Sequence, residues 1–154
     1  MNMRNIFIAC DTTNIQIVKK IIKHSQVKLK NYEIGYKFGL EFFYSKNGRK
    51  FIQKLKVKNL WLDVKTFDIP NTSFAAIKSL KDLKNVSYIT VHVSGGFHML
   101  KAIKKAAKKY NKKLKIIGVT ILTSFSNSTI KKVGHTKSIK DLVRKQALLA
   151  KNAK

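Results

Sequence analysis

An α/β fold with a parallel sheet is what this 154-residue chain predicts, and three features predict it. Apolar runs of strand length recur five times. The stretches between them carry apolar residues at helical spacing, and unusual polar residues gather where the runs end. In parallel α/β folds the carboxyl ends of the strands form the active face, so those polar residues share one rim.

The first strand is Ile6 to Ala9. The opening Met1-Asn2-Met3-Arg4-Asn5 ahead of it superficially resembles a lipoprotein signal, but the apolar run is too short for one. The second strand spans Tyr32 to Phe38 and the third Leu60 to Val64. A helix then begins at about Pro70 or Asn71, where proline suits an early helical position. The fourth strand is Tyr88 to Val93. A helix with Leu100, Ile103, Ala106 and Ala107 on one face and lysines on the other follows it, through Tyr110. The fifth strand spans Leu114 to Leu122. Gly134-His135-Thr136-Lys137 reads as a loop, and Ser138 as the N-cap of a last helix, Ile139 to Ala153. No linker or change of composition marks a second domain, so residues 1–154 form one.

Composition narrows the function. The formal charge is +26, from 33 Lys and Arg against 7 Asp and Glu. Such charge points toward nucleic acid or an anionic membrane. The pattern argues against that: only Arg4, Arg49 and Arg144 are arginines, and the forked guanidinium is the preferred reader of bases and phosphates. The lysines of Leu100 to Tyr110 lack interleaved aromatics for stacking, so they read as a solvated helix face. The single cysteine, Cys10, excludes an internal disulfide framework. No apolar stretch has the 18 or so residues a spanning helix needs. The expectation is a soluble cytoplasmic protein with neither nucleic acid nor membrane as partner.

With so few acids available, the cluster Asp63-Val64-Lys65-Thr66-Phe67-Asp68 directly after Leu60-Trp61-Leu62 stands out. A surface ion network is one reading. Catalysis is the other: a lysine between carboxylates stays protonated and delivers a proton to a developing carbanion, which suits chemistry that loses a carboxylate. His92 and His98 have no partners at zinc spacing and read as strand-end packing and helix surface. Ser94-Gly95-Gly96 reads as an ordinary turn ahead of a helix.

Five segments, taken in order, are similar to orotidine 5'-phosphate decarboxylase. They are Asp11; Tyr36-Lys37-Phe38-Gly39-Leu40-Glu41; Leu62 through the Asp-x-Lys-x-x-Asp-Ile-Pro-Asn-Thr signature ending at Thr72; Thr90-Val91-His92-Val93-Ser94-Gly95-Gly96; and Val119-Thr120-Ile121-Leu122-Thr123-Ser124. The resemblance implies a (β/α)8 TIM barrel working as a homodimer without metal or organic cofactor. Its reaction is decarboxylation of orotidine 5'-monophosphate to UMP in pyrimidine biosynthesis. It implies that Lys65 gives the proton to C6 of the pyrimidine. Asp63 and the partner's Asp68 complete the charged array, and Lys37 links it to the ribose. Asp11 binds ribose hydroxyls. The segment Val64, Thr66, Phe67, Ile69, Pro70, Asn71 and Thr72 lines the substrate site, with Asp68, Ile69 and Thr72 reaching the partner's, and Thr123 with Ser124 faces the pyrimidine edge.

The chain departs from that family in length. About five βα units are present where a complete barrel has eight and typically about 250 residues. The Gly-rich loop and arginine that grip phosphate in relatives have no counterpart after Thr123, so the expectation is an incomplete barrel from a longer reading frame. Two alternatives stand beside it. One is a magnesium-dependent sugar-phosphate decarboxylase or synthase of the same barrel superfamily, with Glu41 and Asp63 as metal ligands. The other is a basic nucleic-acid-binding module, supported by the charge.

Overall fold

The computed structural model describes residues 4–154; the signal-like opening Met1-Asn2-Met3 lies outside them. Five strands alternate with helices: β1 (Arg4–Ala9), α1 (Ile15–Ser25), β2 (Tyr32–Gly39), α2 (Leu40–Tyr44), α3 (Gly48–Lys54), β3 (Leu60–Thr66), α4 (Pro70–Ser79), β4 (Val86–His92), α5 (Gly96–Tyr110), β5 (Lys115–Val119), α6 (Asn127–Lys132) and α7 (Ile139–Asn152). The strands lie in one sheet in the order β1-β2-β3-β4-β5. The ladders β1 to β2 and β2 to β3 are parallel, pairing Phe7 with Gly35, Ala9 with Lys37 and Gly39 with Asp63. The alternating parallel architecture is therefore the one expected.

The first four strands extend one or two residues beyond the sequence reading at one end, and two strands stop short of it. The fifth strand ends at Val119 and not at Leu122, because Thr120 to Leu122 leave the sheet and enter a turn closed by Phe125 N–H donating to the Leu122 carbonyl at 3.0 Å. Ile121 and Leu122 are partly buried outside the ladder, a state that an apolar run does not distinguish from a strand. The fourth strand gives way at Val93, which begins a short 3-10 turn, Val93–Gly95, ahead of α5.

The chain forms two compact units that interleave along the sequence. The first holds the described residues through Val64, with Leu80–Ile89 and Lys113–Lys115. Its core packs Val18 and Ile22 of α1 with Tyr36, Phe38, Phe42, Ile52, Leu60 and Leu62. Phe38, Phe42 and Phe51 form an aromatic triad with centroids 4.8 to 6.5 Å apart, edge and tilted geometries that favour ring quadrupoles. Asn14 caps α1, accepting from Gln16 N–H at 2.9 Å and Ile17 N–H at 3.2 Å. At the other end of α1 the hydroxyls of Ser25 and Tyr36 lie 2.9 Å apart, tying that terminus to β2.

The second unit holds Lys65–Ser79, Thr90–Lys112 and Ile116–Lys154. Helix α5 buries Met99, Leu100, Ile103, Ala106 and Ala107, a 3.6-period stripe, and leaves Lys101, Lys105 and Lys108 exposed. The solvated lysine face is thus as read. Pro70 is the first residue of α4. Ser138 caps α7: its Oγ accepts from Asp141 N–H at 3.2 Å and donates to Asp141 Oδ2 at 2.6 Å. Among the described residues, no helix is long and apolar enough to cross a membrane.

Candidate active site

In the first unit three neighbouring strands bring their polar ends together. Asp11 follows β1, Lys37 sits on β2 and Asp63 on β3. Lys37 Nζ donates to Asp11 Oδ1 at 3.0 Å and lies 3.7 Å from Asp63 Oδ2. The Lys37 and Asp63 side chains are 19% and 17% exposed, against 66% for Asp11. The outer pair is therefore weakened by solvent, whereas the inner one lies where a charge interaction is screened less. One ammonium thus fixes two carboxylates, and Asp11 keeps a carboxylate oxygen and solvent access for a hydroxyl ligand. Gly39 leaves this corner open, since a Cβ there would come no nearer than 3.8 Å to Asp11 Oδ1.

Cys10 lies buried between these charges. Desolvation and then the Asp11 carboxylate push its thiol up to about 11, against an opposing pull from Lys37. A protonated, buried thiol is a poor nucleophile. At about pH 8, Ellman's reagent is expected to react with Cys10 only after denaturant is added; a rapid stoichiometric reaction in native buffer would contradict this.

The second unit carries the remainder of the signature. Lys65 stands in β3 with φ at +47°, a left-handed conformation rare outside glycine. Its N–H donates to Thr90 Oγ1 at 2.9 Å. Holding a non-glycine residue there costs on the order of 1 to 3 kcal/mol and is met mostly at functional sites. Asp68 accepts from the next N–H, that of Ile69, at 2.7 Å, while its carbonyl accepts from Ser73 Oγ at 3.2 Å. These bonds fix the entry to α4. Phe67, Asp68, Ile69, Pro70, Asn71 and Thr72 are exposed, Phe67 at 61% and Ile69 at 66%. Thr123 and Ser124 are exposed in the turn after β5.

Phe67 packs edge-on to His92, with centroids 5.9 Å apart. Both line a cavity of about 180 Å³ with Thr120, Leu122, Phe125 and Gln146. That is small beside the 300 Å³ or so at which drug-sized pockets begin. Thr123 and Ser124 do not line it. Among the described residues, no three His, Cys, Asp or Glu side chains form a metal-ligand group. Glu41, the other ligand of the magnesium alternative, is exposed in the first turn of α2.

Desolvation, and then the charge of Lys65, hold His92 below the ordinary histidine value. The unfolded chain therefore takes up this proton first as pH falls. The stability contributed by neutral His92 is complete above the ordinary value, near pH 6.5, and is lost on acidification below it. Between about pH 7.5 and pH 5, His92→Gln should lose less melting temperature than the wild type; an equal loss would place the acid sensitivity elsewhere.

Thr90, His92 and Cys10 were not among the residues assigned to the site from the sequence. Alternation within Thr90-Val91-His92, with Val91 fully buried and polar side chains on either side, was the available signal.

The model of the family described as orotidine 5'-phosphate decarboxylase / HUMPS matches residues 4–154. The orotidine 5'-phosphate decarboxylase of Malacoplasma penetrans is 37% identical over 158 residues, covering 99% of this chain and 65% of its own length. That of Buchnera aphidicola subsp. Acyrthosiphon pisum is 38% identical over 152 residues, covering 97% and 61%. The crystal structure of the Lactobacillus acidophilus orotidine 5'-phosphate decarboxylase superposes with a TM-score of 0.84 at 30% identity, over 98% of this chain and 68% of that one. The Methanocaldococcus jannaschii orotidine 5'-monophosphate decarboxylase, complexed with the inhibitor BMP, gives 0.72 at 27% identity, over 97% and 64%. The chain thus spans just under two thirds of the length of these curated relatives.

Proposed function

We propose, from the premise that this chain belongs to the orotidine 5'-phosphate decarboxylase / HUMPS family, that it furnishes the reacting end of a site converting orotidine 5'-monophosphate to UMP and carbon dioxide. Its fold is of the family's TIM-barrel type, with five βα units of the (β/α)8 barrel in this chain. The observation that carries the reading is the charged row: Asp11 and Asp63 on Lys37, followed two residues later on β3 by Lys65 with its constrained backbone.

Loss of carbon dioxide leaves an electron pair on C6 of the pyrimidine, which the ring stabilises poorly. The site must therefore bind that carbanion far better than the substrate. The Lys65 ammonium is the group assigned to it, stabilising the developing charge and then supplying the proton. Asp63, with Asp68 of the partner subunit, holds that ammonium in place. Lys37 anchors Asp63 and reaches the ribose, whose hydroxyls Asp11 accepts from. Thr123 and Ser124 meet the pyrimidine edge, and Val64, Thr66, Phe67, Ile69, Pro70 and Asn71 wall the site.

A homodimer belongs to this reading, with Asp68, Ile69 and Thr72 reaching the partner's site. The exposure of Phe67 and Ile69 beside Asp68 supports it, because large apolar side chains on a rim are characteristic of interfaces. The proposed setting is the cytoplasm, with small-molecule substrate and product and neither nucleic acid nor membrane as partner. No metal or organic cofactor is assigned a role.

The test is release of labelled carbon dioxide from carboxyl-labelled orotidine 5'-monophosphate by the purified chain in the presence of a chelator. Release at undiminished rate supports the assignment. Release abolished by the chelator and restored by magnesium would favour the alternative built on Glu41 and Asp63, and no release above the uncatalysed background would overturn the reading for this chain.

A further inference from the structure

We propose that Thr90 is a positioning residue for Lys65, an inference that rests on the catalytic reading of Lys65. Thr90 lies in β4 between Ile89 and Val91 and is 2% exposed, with neighbours on either side that are 1% and 0% exposed. In such a run valine is the ordinary choice, since it has the same shape and no polar group to satisfy. The hydroxyl has an identified use. Thr90 Oγ1 accepts the Lys65 N–H at 2.9 Å, and Lys65 is the residue whose φ is +47°.

The two facts are connected. A residue in extended conformation turns its N–H along the ladder, toward a carbonyl of a neighbouring strand. The Lys65 N–H meets a side-chain hydroxyl, and the φ of +47° begins at that same nitrogen; a part-buried N–H left without an acceptor is unfavourable. The Thr90 hydroxyl, standing off the β4 backbone on a short, χ1-restricted side chain, supplies the acceptor where a backbone carbonyl would not. It thereby stabilises the left-handed conformation specifically. The conformation in turn breaks the strict strand alternation in which residues 63 and 65 would project in parallel, so it sets the direction from which the Lys65 side chain departs. Lysine has four rotatable side-chain bonds, and an ammonium that must meet a carbanion gains from a fixed root.

The experiment compares Thr90→Val and Thr90→Ser with the wild type. Thr90→Val keeps shape and removes the acceptor; Thr90→Ser keeps the acceptor. With orotidine 5'-monophosphate as substrate, Thr90→Val is expected to lose about 10- to 100-fold in kcat with KM within about twofold, and Thr90→Ser to recover most of it. Thr90→Val turning over at the wild-type rate, or changing KM alone, would overturn the proposal.

A second readout is independent of turnover. The Lys65 amide should show the strong intraresidue HN–Hα cross-peak of a positive φ and slow exchange in the wild type. Both should persist in Thr90→Ser, while in Thr90→Val exchange quickens about tenfold or more. If the wild-type chain does not turn over substrate, the functional reading fails, and the amide signals still decide whether Thr90 sets the Lys65 backbone. Should Thr90→Val not fold, the wild type and Thr90→Ser decide: a weak Lys65 cross-peak in the wild type, or its loss in Thr90→Ser, refutes the proposal.

Discussion

Replacing Lys65 with alanine is expected to lower the rate of carbon dioxide release by about 10⁴-fold while binding of UMP stays within a few fold. Two separate contributions add up to that figure. An ammonium aimed at developing charge is worth about 10² to 10³ when removed from a preorganised site, and a positioned proton donor contributes about 10² or more. Together they correspond to about 5 kcal/mol of transition-state stabilisation. Both act after the carbon–carbon bond begins to break, so neither strengthens binding of a product that carries no carboxylate. The loss should therefore appear in kcat. Labelled carbon dioxide release measures the first quantity and calorimetric titration with UMP the second. A variant that turned over at a tenth of the wild-type rate would move the proton-donor role away from Lys65, and one that lost UMP affinity in proportion would make Lys65 a binding residue.

How far the sequence revealed this site depends on the kind of interaction involved. Asp63, Lys65 and Asp68 were legible because acids are scarce among so many lysines and because the spacing falls at a strand end. Ser138 and Pro70 were legible because capping is local, set by groups within one helical turn. The Asp11–Lys37–Asp63 row was legible as strand ends sharing a rim, though the distances that join them belong to the ladder register. The left-handed Lys65 was not. The hydroxyl that its N–H meets lies 25 residues away in sequence, and nothing in local propensity announces that contact. The end of β5 was misplaced for a related reason: Ile121 and Leu122 are covered outside the sheet, and hydrophobicity reports burial without saying which element provides it.

The same limit applies to Gly35, where glycine inside a strand marks a close approach. Gly35→Ala is expected to destabilise the chain by about 2 to 3 kcal/mol, a fall in melting temperature of about 5 to 10 °C. A Cβ at this position would lie 2.3 Å from the Asn59 carbonyl oxygen and 2.6 and 2.9 Å from two ring carbons of Phe7. Neither neighbour is free to yield. Phe7 pairs with Gly35 across the β1–β2 ladder, and its ring makes edge contacts with Trp61 at 5.4 Å and Tyr88 at 5.1 Å. Asn59 is buried with φ at +67°, and its side-chain amide donates to Asn5 Oδ1 at 2.6 Å. A methyl group must therefore displace a pinned ring or a backbone carbonyl. Gly39→Ala, four residues along the same strand, is the control, since its Cβ meets nothing closer than 3.8 Å. It should melt within about 1 or 2 °C of the wild type, the range of a substitution that touches no special feature. Equal melting of the two variants would show that the ring layer yields at little cost, and the packing of Phe7 over β2 would then explain nothing about why glycine stands there.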